Sequence, residues 1–150
     1  MKTENSLYIK FPALPENERI SRMVAVAFLS SMNPTVEEMD DVKTAVSEAV
    51  TNCIIHAYEK NQREKSMVEM RCERKDDQIT LIIEDYGKGI ENVTLAMEPL
   101  FTTRPAEERS GMGFSFMEAF MDHVEVESQL GKGTKVTMRK RLGTFEIEVK

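Results

Sequence analysis

Six of the seven glycines in this chain fall into three Gly-x-Gly pairs: Gly87/Gly89, Gly111/Gly113 and Gly131/Gly133. Random placement of so few glycines would rarely produce even one such pair. Glycine takes positive φ without strain and lets a neighbour approach main-chain N–H groups, as flat bases and phosphates do. The chain must therefore make three tight turns, each with something close to its backbone. Gly131-Lys132-Gly133 alone reads equally as a hairpin turn, and it is the recurrence that points to a ligand. No pair extends to Gly-x-Gly-x-x-Gly, and no Gly-x-x-x-x-Gly-Lys-Ser/Thr occurs, so a nucleotide site here is neither a dinucleotide fingerprint nor a P-loop. A zinc-binding His-Glu-x-x-His, a nucleophile elbow and a protein-kinase catalytic loop are absent as well.

Between these turns the hydrophobic pattern alternates between the strand and helix periods. Leu7, Ile9 and Phe11 alternate with polar residues, which predicts a half-buried strand ending at Pro12. After Pro15 a helix follows, with Ile20, Met23, Val24, Ala27 and Phe28 as its apolar stripe. A second, longer helix starts with Asn33 or Thr35 as cap, Glu38 completing a capping box with Thr35. Its stripe is Met39, Val42, Val46, Ala49, Val50, Cys53 and Ala57, and it ends in the polar stretch from Glu59 to Lys65. A hairpin through Asp76-Asp77 joins strands carrying Val68, Met70, Cys72 and Ile79, Leu81, Ile83. Then come a short helix after Gly89, a loop with Pro99 and Pro105, a Met- and Phe-rich helix from about Gly111 to Met121, and two strands around Val124/Val126 and Val136/Met138. Phe145, Ile147 and Val149 alternate too, and fit an edge strand or a tail. The sum is an α+β fold, a two-layer sandwich of a mixed sheet against helices. It forms a single domain over 1–150, with 143–150 unassigned.

The length suits one domain, and 41% hydrophobic with 31% charged residues is a globular composition. A net charge of −6 disfavours nucleic acid and anionic membranes and makes a basic protein surface the expected partner. Cys53 and Cys72 occupy core-facing positions and match neither zinc spacing nor a disulfide framework. With no signal core and no apolar run near the ~20 residues that span a bilayer, the expected setting is the reducing cytoplasm.

Three constellations carry chemistry. Glu48, Asn52 and His56 recur at i, i+4 and i+8 on the long helix, away from its apolar stripe. A carboxylate with a carboxamide oxygen suits a hard cation such as Mg²⁺, which leans on nucleotide phosphates. His56 fits a structural or phosphate-adjacent role as well as a catalytic one. Asp85 ends a strand just before Gly87, aimed toward the long helix, where it can accept an amino hydrogen from adenine or cap its own turn. Ser110-Gly111-Met112-Gly113 reads as a glycine-rich helix start whose free N–H groups attract anions, with Arg104 and Arg109 nearby.

Ser47-Glu48-Ala49-Val50-Thr51-Asn52, Asp85-Tyr86-Gly87-Lys88-Gly89, Ser110-Gly111-Met112-Gly113 and Gly131-Lys132-Gly133-Thr134 resemble, in order and spacing, the four nucleotide boxes of the gyrase, Hsp90, histidine-kinase and MutL ATPase superfamily. Within it, the stretch from about Leu7 to Arg139 is similar to the anti-sigma factor serine/threonine kinases, nearest the anti-sigma F factors of sporulation. The phrase from Pro99 to Pro105 and the run from Glu108 to Phe114 are the most specific part of that likeness.

The resemblance implies a Bergerat-type fold. It implies that Asn52 helps bind Mg²⁺, Asp85 reads adenine, Gly87 and Gly89 pass under the base and Thr134 assists near it. A mobile lid from about 99 to 110 would carry Thr103, Arg109 and Ser110 to the phosphates, which also meet the amides at Gly111 and Gly113. Glu48 would be the general base toward a serine hydroxyl of an anti-anti-sigma protein. A homodimer would hold a sigma factor inactive, sporulation sigma F being the expected one, through the first helix, where Glu18 and Arg22 match partner-contacting positions. Ala57 stands where relatives often have Gly. Alternatives are a non-catalytic ATP-dependent sigma-binding switch, a stress-response anti-sigma kinase, or the ATP domain of a histidine kinase. The last would need a second polypeptide for its phospho-accepting histidine, since His56 and His123 lie inside the domain.

Overall fold

The computed structural model describes residues 3–98 and 113–143. Its elements run β1 (Glu4–Pro12), α1 (Pro15–Leu29), α2 (Val36–Asn52), β2 (Met67–Lys75), β3 (Gln78–Asp85), α3 (Val93–Ala96), α4 (Gly113–Phe120), β4 (His123–Gln129) and β5 (Gly133–Arg141). The five strands make one sheet in the order β1-β2-β3-β5-β4. Every neighbouring pair is antiparallel, which corrects the mixed sheet that the sequence suggested. The crossover through α3 and α4 delivers β4 outside β5, and β5 then turns back to fill the place beside β3, running against it.

The sheet alternates as a half-solvated antiparallel sheet must. Val68, Met70 and Cys72 of β2, Ile79, Leu81 and Ile83 of β3, and Val136 and Met138 of β5 are buried. They face the helical layer, in which α1 and α4 both pack on α2. Burying each such side chain contributes about 1.5–3 kcal/mol. Both cysteines are buried and free, and burial pushes the Cys72 thiol up to about 12. β1 is an edge strand and less covered than its alternation suggests: Ile9 and Phe11 pack on the core, while Leu7 is exposed.

Helix α2 follows its sequence signals closely. Thr35 is the cap, its side chain accepting from the Glu38 N–H while Glu38 accepts from the Thr35 N–H, and Asn33 takes a left-handed φ of 53° two residues earlier. Val42, Val46, Ala49, Val50 and Cys53 are buried, joined by Ala45 and Ile54. The helix widens into a π-helical turn, Cys53–Ala57, after which Tyr58 leaves in extended conformation. It thus stops just short of the charged stretch, part of which forms a 3-10 turn, Lys60–Lys65.

Helix α1 does not face the way its stripe predicted. Ser21, Ala25 and Leu29 are buried, Val24 and Phe28 only partly, and Ile20 and Met23 are 57% and 58% exposed. Small residues at 21 and 25 let α1 approach α2 closely, which turns the larger apolar residues outward. The expected loop around Pro99 and Pro105 and the alternation at Phe145, Ile147 and Val149 lie outside the described residues.

Candidate functional site

At the end of β3, where α2 and the sheet diverge, a cavity of ≈ 360 Å³ opens. One wall is the end of α2 and its π turn, with Asn52, Cys53 and His56. Ile83, Asp85, Thr134 and Val136 form the floor, and Ile90, Leu95, Ala96 and Leu130 close the far side, with Gly113 and Phe114 at the start of α4. A mostly apolar slot with a few convergent polar groups is the usual form of a small-ligand site.

The polar floor is organised around Asp85, which is 4% exposed. Its Oδ1 accepts the Gly87 N–H at 3.0 Å and the Thr134 N–H at 3.2 Å. Burial pushes the carboxyl above its usual range, opposed by these two bonds and by one from the Cys53 thiol. The same burial, with the Asp85 charge beside it, pushes the Cys53 thiol well above its ordinary value. Asp85 therefore caps its own turn through Oδ1 and also lines the cavity.

Backbone contacts hold the turns together. Lys88 N–H donates to the Ala57 carbonyl at 2.9 Å, and Gly131 N–H to the Lys88 carbonyl at 2.8 Å. A Cβ at Gly87 would run into the Ala57 carbonyl oxygen, so this glycine is required by the π turn behind it. Gly89 lines the cavity at φ 76° and admits no Cβ because Gln129 O lies against it. Gly131-Lys132-Gly133 is the hairpin turn between β4 and β5. Tyr58 braces the arrangement: its hydroxyl donates to Met67 O and accepts from Tyr86 N–H, both at 2.7 Å. Burial holds that phenol near 12, so it stays protonated.

Glu48 and Asn52 meet at the start of α4. A Cβ at Gly113 would lie 3.2 Å from Asn52 Nδ2, 3.3 Å from Asn52 Oδ1 and 3.4 Å from Glu48 Oε2. A side chain at 113 would need Asn52 and Glu48 to give by a few tenths of an ångström, so the glycine lets α4 begin close to both without displacing them. An oxygen-rich pair of carboxylate and carboxamide is the donor type Mg²⁺ takes, which uses one or two protein ligands plus phosphates and water. Among the described residues no group of three or more His, Cys, Asp and Glu could hold a metal. On α1, Glu18 Oε1 accepts from the Ser47 hydroxyl of α2 at 2.7 Å, and its Oε2 lies 3.3 Å from Arg22 Nε. Thr103, Arg109, Ser110 and Gly111 lie outside the described residues.

The Histidine kinase-like ATPase domain model matches residues 11–140. An anti-sigma F factor of Clostridium beijerinckii is 51% identical over 93% of this chain and 96% of its own length. That of Caldanaerobacter subterraneus subsp. tengcongensis is 52% identical over 95% of this chain and 98% of its own length. The chain belongs to the histidine kinase-like ATPase family, among the anti-sigma F factors. Solved structures repeat the fold. The RsbU and RsbW domains of a Mycobacterium tuberculosis protein align with a TM-score of 0.63 at 19% identity, over 92% of this chain and 32% of that longer one. The catalytic domain of histidine kinase ThkA aligns at 0.55 and 16% identity, over 91% of this chain and 96% of that one. Among the described residues of the four boxes, Ala49, Asn52, Asp85, Gly89, Gly113 and Thr134 line the cavity.

Sequence reasoning missed several contributors. Cys53 read as core and is core, yet its thiol also meets Asp85. The apolar walls at Ile90, Leu95 and Leu130 gave no signal, because such residues are usually ordinary core. Ser128 was legible in principle: it follows Val124 and Val126 on the inward face of β4, where a hydroxyl calls for a partner.

Proposed function

We propose that this protein is a cytoplasmic, single-domain anti-sigma factor that uses Mg-ATP to phosphorylate a serine on its anti-anti-sigma antagonist. The observation that carries the proposal is the convergence of Glu48 and Asn52 at Gly113, beside a cavity with Asp85 on its floor. In this reading the purine enters the apolar slot, and the Asp85 carboxylate accepts from its exocyclic amine. Thr134 assists beside it, and Gly87 and Gly89 carry the backbone past the base. Asn52 holds Mg²⁺, which when bound neutralises charge on the phosphates. Thr103, Arg109, Ser110 and the amides at Gly111 and Gly113 take the phosphates, Thr103 to Ser110 belonging to a lid.

Glu48 acts as general base. It removes the proton from the substrate serine hydroxyl as that oxygen attacks the γ-phosphorus in line, while the bond from the γ-phosphorus to the β–γ bridging oxygen breaks and ADP departs. The phosphoserine protein is released.

Partner binding is assigned to α1. Glu18 is held by Ser47 and pairs with Arg22, and Ile20 and Met23 stand exposed on the same helix. An exposed apolar pair among charges supports a protein interface. The partners are a sigma factor, sporulation sigma F in keeping with the relatives' names, and the anti-anti-sigma protein, with a homodimer as the working form. Calorimetric titration with ATP tests the nucleotide half of the proposal. The wild type binds ATP more tightly with Mg²⁺ than without, Asn52→Ala loses most of that Mg²⁺ dependence, and Glu48→Gln still binds. Failure of the wild type to bind ATP would refute the proposal.

A further inference from the structure

Asp85, Thr134 and Ser128 form one transverse row at the end of the sheet: Asp85 is paired with Thr134 across β3 and β5, and Ser128 with Thr134 across β4 and β5. The first two line the cavity, and Ser128 sits behind them. The Ser128 hydroxyl has three partners: the Ile90 N–H at 2.7 Å, the Gly133 carbonyl at 2.9 Å and the Thr134 hydroxyl at 2.8 Å. An amide N–H can only donate and a carbonyl can only accept, whereas a hydroxyl has one proton to give. Ser128 therefore accepts from Ile90 and donates to Gly133. For the third contact to be a hydrogen bond, Thr134 must donate its proton to Ser128. That leaves Thr134 Oγ1 with only lone pairs to offer the cavity, beside the acceptor Asp85.

We infer that Ser128 is a positioning residue for base selection: by taking the Thr134 proton it fixes Thr134 as an acceptor, so that this edge of the cavity favours a purine bearing an exocyclic amine. The inference rests on the ATP reading above and adds to it which residue sets the polarity of the floor. Ser128 also joins two of the glycine turns, since Ile90 follows Gly89 and Gly133 ends the β4–β5 turn. A purely structural role is thus the competing explanation. The two differ in what they predict for nucleotide choice.

The experiment measures Kd for Mg-ATP and for purine riboside triphosphate, which lacks the exocyclic amine, with thermal melts alongside. Wild type should prefer ATP. Ser128→Ala should lower that preference roughly threefold to tenfold, the effect of losing one oriented hydrogen bond, by weakening ATP while leaving the analogue nearly unmoved. Ser128→Thr should restore it. Thr134→Val should show a comparable loss, and the Ser128→Ala/Thr134→Val double variant no more than Thr134→Val alone.

Equal weakening of both nucleotides by Ser128→Ala, or full additivity in the double variant, would overturn the inference and leave Ser128 as a brace. Should Ser128→Ala not fold, an intact ATP preference in Thr134→Val would overturn it as well. A wild type that does not bind ATP would instead remove the ATP reading itself.

Discussion

Burial pushes the Asp85 carboxyl above the ordinary carboxylate range even though Gly87, Thr134 and Cys53 donate to it. Unfolded, the group titrates in the usual range; folded, it titrates higher. Its contribution to stability is therefore complete below the usual range and is lost as pH rises through the raised value, so the ionised form costs the empty fold stability at neutral pH. Asp85→Asn keeps an acceptor for Gly87 and Thr134 and removes the charge. Without nucleotide it should melt higher than wild type at pH 7, with a flatter pH dependence from weakly acidic to neutral, while losing about tenfold or more in ATP affinity. A scanning melt across pH and a titration at pH 7 read the two effects separately. Gly87→Ala should act on the fold instead, because its Cβ would meet the Ala57 carbonyl. The overpacking lowers stability by about 1–3 kcal/mol, measurable by urea denaturation. Asp85 and the three glycine pairs could be found in the sequence because they are polar or conformationally special residues out of place. Tyr58 acts through Met67 and through Tyr86, 28 positions away, and nothing local marks it, whereas Ser128 is marked only by its inward place on β4, with its Ile90 partner 38 positions away.

Helix α2 and helix α1 show why one element was legible and the other was not. The capping box at Thr35 and Glu38 and a broad apolar face admit one orientation for α2. Thr35→Ala should destabilise the protein by about 1 kcal/mol, seen as a lower urea midpoint at unchanged slope. In α1 the 3.6-residue period fits two faces, and bulk alone picked Ile20 and Met23. Packing against α2 chose the smaller Ser21 and Ala25 instead, since close helix approach favours small side chains. The sheet was read correctly strand by strand, but its parallel or antiparallel character depends on where the crossover lands, and no local pattern encodes that.

The whole molecule places two different surfaces on one helical layer. The inner end of α2 and its π turn meet the cavity through Asn52 and His56, and Ser47, one residue from Glu48, holds Glu18 of α1. The proposed partner surface is thus one hydrogen bond from the proposed catalytic helix. Arg22→Ala removes a half-buried side chain paired with Glu18 and should lower stability by about 1 kcal/mol, leaving the fold intact. It should weaken capture of the sigma factor and of the anti-anti-sigma protein in a pull-down at fixed salt. Equal binding of both would take α1 out of the interface. Phosphoryl transfer by this chain is tested by following label from γ-labelled ATP with Mg²⁺ into serine of the anti-anti-sigma protein, with Glu48→Gln in parallel. Wild type should transfer, and Glu48→Gln should lose about 10²- to 10⁴-fold in rate with ATP binding retained. A wild type that binds ATP and the anti-anti-sigma protein yet transfers nothing, or a Glu48→Gln variant as fast as wild type, would contradict the proposed mechanism.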